Sequence, residues 1–152
     1  MEDERFEDRA RIERLAIAYA YAVDEKDWRA FEDLYVPDAL IDYRSAGGIA
    51  GTPAEVAAWM EGAMAMFAWS MHSISTQRIE FTGPDTATGS VHVFARHGLE
   101  WEGVEELMDV SAVYHDSYVR TASGWRFSKR REQTHDLSGG RFAALVRASL
   151  TR

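Results

Sequence analysis

The sequence predicts an α+β domain in which three helices come first and a long, curved antiparallel sheet follows and encloses them. Three observations carry that expectation. Up to about Phe67, apolar residues recur at spacings of three and four. Beyond that point the period changes to strict alternation, which continues to about His135. The turns between the alternating stretches are short, so neighbouring strands pair antiparallel as a meander.

Residues 1–8 are charged and read as a frayed end. From Phe6 to Val23, the positions Ile12, Leu15, Ala16, Tyr19 and Val23 mark one face of an amphipathic helix. After the Glu25-Lys26 turn, Asp27 can cap a shorter helix carrying Trp28, Phe31, Leu34 and Tyr35, which stops before Pro37. Ala39 to Arg44 reads as a strand, and the Ala46-Gly47-Gly48 turn leads to a short return ending at Gly51. Thr52-Pro53-Ala54-Glu55 combines a capping Thr, Pro at the first helical position and the Glu of a capping box. The third helix then runs to about Phe67, with Val56, Trp59, Met60, Ala63, Met64 and Phe67 as its buried stripe. Four strands follow, over about 70–82, 86–97, 105–121 and 124–135. Their turns are Gly83-Pro84-Asp85, Gly98 to Gly103, and Ala122-Ser123-Gly124. Gly139-Gly140 breaks the chain before an amphipathic tail, Phe142 to Val146. Helices packed in the concavity of such a sheet leave a cavity at its open end, a common ligand site.

Bulk composition narrows the function. A length of 152 residues suits one domain with a real core. The net charge of −8 argues against a nucleic-acid or anionic-membrane partner, which would need clustered Lys and Arg. The absence of Cys removes thiolate catalysis, disulfides and Cys-based zinc sites. No apolar run is long enough to span a membrane. The acidic start, Met1 to Arg5, does not read as a signal peptide, so a cytoplasmic location is expected. An aromatic share of 12% suits an aromatic-lined cavity, and equally a large core or an interface. Apolar residues on the outer sheet face, with Trp101, Tyr118 and Val119 among them, point to a homo-oligomer, dimer or trimer.

The stretch with the most chemical content is Tyr19 to Trp28. There an apolar helix runs straight into Asp24, at the negative end of its macrodipole. An acid so placed needs a donor, most usefully a histidine. Five are available, at 72, 92, 97, 115 and 135. His72 comes early in the first long strand, and His92 shares a strand face with Ser90 and Phe94. No His-x-His or His-Glu-x-x-His pattern supports a metal, and no Gly-x-Ser-x-Gly supports a serine nucleophile. Nor does any Gly-x-Gly-x-x-Gly or Walker pattern indicate a nucleotide cofactor. Cofactor-free acid–base chemistry by Asp, His, Tyr and Arg is what remains.

Four segments carry a resemblance: Tyr21–Trp28, Ile41–Ser45, Trp69–His72 and Gly124–Arg130. Together they make the chain similar to the SnoaL-like branch of the nuclear-transport-factor-2-like (cystatin-like cone) superfamily. Among its enzymes it looks like scytalone dehydratase, bile-acid 7α-dehydratase and lindane dehydrochlorinase. The resemblance implies a single domain over residues 1–152, built as a cone-shaped α+β barrel. Its curved, mixed or antiparallel sheet would wrap three N-terminal helices, with 139–152 as a pocket-covering or interface helix. It also implies roles. Asp24 matches the acid that orients and charges the catalytic histidine, and His72 matches that histidine. Tyr43 and Arg130 match groups that polarise the substrate, while Tyr19 and His92 match a second pocket tyrosine and a second histidine. Tyr114, Trp59 and Phe67 join Tyr19 and His92 as substrate contacts.

Ala112 and Tyr114 replace the serine and asparagine of scytalone dehydratase, and Val23 replaces the tyrosine before its acid. These departures argue against scytalone itself as substrate. Strand alternation also puts Arg130 on the face opposite Trp125 and Phe127, so a bulge must intervene if all three point inward. The implied activity is removal of water from a hydrophobic cyclic (steroid-, polyketide- or naphthol-like) substrate by Asp–His acid–base catalysis. The alternatives are a ketosteroid-isomerase-like or polyketide-cyclase-like proton shuttle and a non-catalytic small-molecule binder.

Overall fold

A computed structural model describes the backbone of residues 2–151 and the side chains of residues 5–151. Helices α1 (Glu2–Asp24) and α2 (Trp28–Asp33) come first, then strand β1 (Tyr35–Asp42), a 3₁₀ turn (Arg44–Ala46) and the short strand β2 (Ala50–Gly51). Helix α3 (Pro53–Met64) follows, then β3 (Phe67–Phe81), β4 (Thr86–Trp101), β5 (Val104–Thr121), β6 (Gly124–Gly139) and α4 (Arg141–Leu150). The six strands form one open sheet in the order β2-β1-β6-β5-β4-β3. β3 to β6 are the expected antiparallel meander, whereas β1 joins β6 in parallel, so the sheet is mixed. The arrangement is the cone-shaped α+β fold that the sequence resembles. No helix among the described residues is long and apolar enough to cross a membrane.

Several local expectations need correction. Met1 lies outside the described residues, but 2–8 belong to α1 rather than to a frayed end. Asp8 is buried and holds that end down, accepting from the Arg120 guanidinium and, at 2.9 Å, from the Trp125 indole N–H. The Arg120 hydrogen bonds keep its carboxyl below the ordinary carboxylate range. The strand after α2 begins at Tyr35 and runs through Pro37. Its pairing with β6 is irregular between Tyr35 and Leu40, which leaves room for a residue with no N–H to give. Phe67 opens β3 instead of closing α3, which keeps its capping box at Thr52 and Glu55. Tyr118 is buried in the core and not on the outer face. The sheet residues that expose apolar surface include Trp69, Met71 and Phe94.

Two bulges in β6 set the phase of the site. Ser117 pairs with Lys129 but Tyr118 with Phe127, so Ser128 is the extra residue. A second shift, between Ser111 and Ala112, makes His135 another. Each extra residue reverses which side chains face inward. Trp125 and Phe127 therefore point into the core together with Arg130 and Glu132.

The break at Gly139 is backbone-driven. Its φ is +136°, and a Cβ there would lie 2.0 Å from the Leu107 carbonyl oxygen. Gly139→Ala should therefore destabilise the fold by about 2–3 kcal/mol, because both the dihedral and the contact resist a side chain. Urea unfolding would measure it, and an unchanged midpoint would contradict the account. Beyond Gly139, the Phe142 N–H donates to Glu106 at 2.9 Å, and the Phe142 ring packs on Trp101 and Phe67.

Candidate active site

Helix α1 packs across β3, and this contact brings its C-terminal acid to the sheet. Asp24 closes the helix, where unpaired carbonyls disfavour a negative charge. Three donors offset that. The Ser70 hydroxyl donates to Oδ1 at 2.8 Å, the His72 backbone N–H to Oδ2 at 2.9 Å, and His72 Nδ1 meets Oδ1 at 2.6 Å. Burial pushes the Asp24 carboxyl up, but these hydrogen bonds outweigh it and hold the group below the ordinary range. Asp24 is thus ionised at neutral pH and can only accept, so the hydrogen sits on His72 Nδ1. Nε2 is left as the basic nitrogen. The side chains are 7% exposed for His72 and 23% for Asp24, so the pair stands largely out of water.

His72 lines an apolar cavity of about 120 Å³ walled by Trp59, Met60, Met64, Phe67, Val93, Met108 and Val110. Beside it, with ring centroids 5.6 Å apart, is His97. Its Nδ1 lies 3.0 Å from the Met108 carbonyl, which can only accept, so the hydrogen is on Nδ1 and Nε2 offers a lone pair. Burial, aided by His72, pushes the imidazole down to about 4. His97 is therefore neutral at physiological pH and serves as a hydrogen-bond acceptor.

Across the cavity stand three tyrosines. The Tyr43 hydroxyl donates to Tyr19 at 3.0 Å, and the Tyr19 and Tyr114 hydroxyls are 3.4 Å apart. Burial raises all three above the usual phenol range, so they remain protonated donors. Under them lies Arg130, fully buried. It makes two 2.8 Å bonds to Asp116, and its guanidinium sits 4.4 and 4.0 Å from the Tyr19 and Tyr114 ring centres. Glu132, two residues on, is 9% exposed and lines the cavity. Among the described residues, no group of three or more His, Asp or Glu is gathered to hold a metal ion.

A profile of the SnoaL-like domain matches residues 4–131. The chain belongs to the SnoaL-like domain family. The uncharacterized protein Rv2910c of Mycobacterium tuberculosis is 30% identical over 126 residues, covering 82% of this chain and 84% of the relative. Among solved structures, LinA superposes with a TM-score of 0.79 at 26% identity, covering 93% of this chain and 95% of LinA. A scytalone dehydratase-like protein of Novosphingobium aromaticivorans gives a TM-score of 0.80 at 24% identity over 91% of each chain, a likeness of fold.

In this SnoaL-like chain, the cavity gathers Asp24's partner His72 with Tyr19, Tyr43, Tyr114, Trp59 and Phe67. Two expected contacts fall elsewhere. His92 is on the outer face of β4 beside Ser75, Phe94 and His135, and cannot reach this cavity. The histidine next to His72 is His97. Its signal is present in the sequence: Val91, Val93 and Ala95 point inward, and His97 is next in phase. Arg130 points inward but does not line the cavity, because the rings of Tyr19 and Tyr114 cover it. It packs against their far side, away from the cavity surface. Glu132 is a lining residue that strand alternation does not reveal, since only the bulge at Ser128 turns it inward.

Proposed function

We propose that this SnoaL-like protein is a cofactor-independent, dehydratase-type lyase acting on a small hydrophobic cyclic substrate. The observation that carries the reading is the Asp24–His72 pair, 2.6 Å apart, with Nε2 of His72 left as a base at an apolar, partly closed cavity. His72 takes a proton from a carbon next to a carbonyl. Ionised Asp24 keeps the imidazole in one tautomer and stabilises the imidazolium as it forms. The Tyr43–Tyr19–Tyr114 hydroxyls donate to the oxygen on which negative charge develops. The electron pair from the C–H bond becomes the new double bond, and the hydroxyl on the next carbon leaves. The names of the scytalone dehydratase-like protein and of a hexachlorocyclohexane dehydrochlorinase (LinA type 2), both eliminating enzymes, support the same class. Steroid- or polyketide-sized substrates would need more room than this, since about 120 Å³ suits a single ring.

One observation also favours a second reading. A cluster of neutral phenols suits an enolate equally well, so the same groups could move a proton without expelling a hydroxyl. Purified protein should be given 3-hydroxycyclohexanone and 3-cyclohexenone separately, with products followed by absorbance and mass. A conjugated enone one water lighter, formed faster than by His72→Ala protein, supports the lyase. Turnover of 3-cyclohexenone alone supports the isomerase, and no turnover of either counts against both.

A further inference from the structure

An elimination of water needs an acid as well as a base, and neither the histidines nor the tyrosines of the cavity supply one. His97 offers a lone pair at Nε2, because its hydrogen is held by the Met108 carbonyl. The tyrosines are weak acids made weaker by burial. Glu132 is different. Its residue is buried, it lines the same cavity, and no side chain among the described residues donates a hydrogen bond to its carboxyl or pairs with it. Ser45 donates to its backbone carbonyl and leaves the carboxyl untouched. A buried, unpartnered carboxylate is costly, and the neutral acid is the form such a site favours.

We propose that Glu132 is the acid of the site: as a neutral carboxylic acid it hands its proton to the hydroxyl that leaves the substrate as water. This rests on the lyase reading and names its missing partner. As His72 Nε2 accepts the proton from carbon, the C–O bond breaks and its electron pair takes the Glu132 proton. The products are an enone and water, with Glu132 left as carboxylate and His72 as imidazolium, and proton exchange through solvent restores both. The substrate class follows: a cyclic β-hydroxy carbonyl compound whose oxygens are uncharged.

The surroundings agree. The titratable groups lining the cavity with Glu132 are Tyr114 from β5, Tyr19 from α1 and Tyr43 after β1, all neutral, with neutral His97 from β4 and the base His72 from β3. Among the described residues, the cation that bears on it is Arg130, which gives its Nε and Nη2 to Asp116. Burial raises the Glu132 carboxyl to about 7 against the pull of Arg130. A carboxyl held near 7 still carries its proton in a substantial fraction of molecules at physiological pH and can donate it.

The test compares wild type with Glu132→Gln on two substrates that differ in whether the leaving group needs a proton. On 3-hydroxycyclohexanone the variant should lose about a hundredfold in kcat/KM, the usual worth of positioned proton transfer. On 3-chlorocyclohexanone, whose chloride leaves unassisted, it should stay within about threefold. Wild-type kcat/KM on the hydroxy compound should fall as pH rises past about 7. On the chloro compound that fall should be absent. A variant equally slow on both, or unimpaired on both, overturns the acid role while leaving the base intact. A wild type inactive on both removes the lyase reading and this role with it. Infrared titration of the folded protein gives a readout independent of turnover: the protonated-carboxyl band missing from Glu132→Gln should persist to near pH 7. Its disappearance at about pH 4 to 5, where an ordinary Glu ionises, would overturn the proposal.

Discussion

Replacing His72 with alanine, or Asp24 with asparagine, is expected to cut kcat/KM by about a hundredfold to ten-thousandfold, with ligand binding largely retained. The asparagine case is the sharper. Asp24 accepts from the His72 backbone N–H at one oxygen, and from Ser70 and His72 Nδ1 at the other. An asparagine side chain has a single oxygen, and the backbone N–H claims it. Its amide then faces Nδ1 as a donor, which drives the imidazole hydrogen onto Nε2 and removes the base without removing the ring. The geometry would survive and the chemistry would not. Turnover on the β-hydroxy ketone, read with calorimetric binding of cyclohexanone, separates the two. If Asp24→Asn keeps wild-type kcat/KM, the dyad does no work.

The acid of that pair was legible in the chain because an acid ending an apolar helix is locally anomalous, whereas His72 stood out among five histidines only through the resemblance. Fold class was legible because a change of period from 3.6 to 2 survives any packing. What stayed hidden depended on single-residue slips of phase. The strand carrying His97 looked finished at that residue because Gly98 and Gly103 suggested a loop. In fact β4 and β5 continue to a two-residue turn at Glu102 and Gly103, both with positive φ. Gly98 is there because the Trp69 indole lies against it, where a Cβ would come within 2.3 Å. Likewise, nothing about Ser128 or His135 marks a bulge, yet the one at Ser128 decides that Arg130 and Glu132 face inward with Trp125 and Phe127. A strand sequence gives alternation; the place where it resets is set by pairing with β5 and by the bend of the cone.

The bulge at Ser128 leads to the second large effect, on stability. Arg130→Met should cost about 3–5 kcal/mol and lower the melting temperature by on the order of 10 °C, since it strands a buried charge. Both partners of the Arg130–Asp116 pair have side chains at 0% exposure. Once the guanidinium is gone, Asp116 keeps only the Tyr118 hydroxyl at 3.1 Å. The rings of Tyr19, Tyr114 and Phe127 lose the cation packed 4.0 to 4.4 Å from their centres. Arg130→Met combined with Asp116→Leu should recover part of the loss, because no unpaired charge then remains in the core. Urea unfolding of the four proteins in this cycle measures the coupling, and equal losses in the single and double variants would show that the ion pair is not what holds the floor of the cavity. The kinetic corollary separates bracing from contact. With Arg130 behind the tyrosine rings, the folded fraction of Arg130→Met should be impaired far less than His72→Ala. A loss matching His72→Ala would put the guanidinium on the substrate after all.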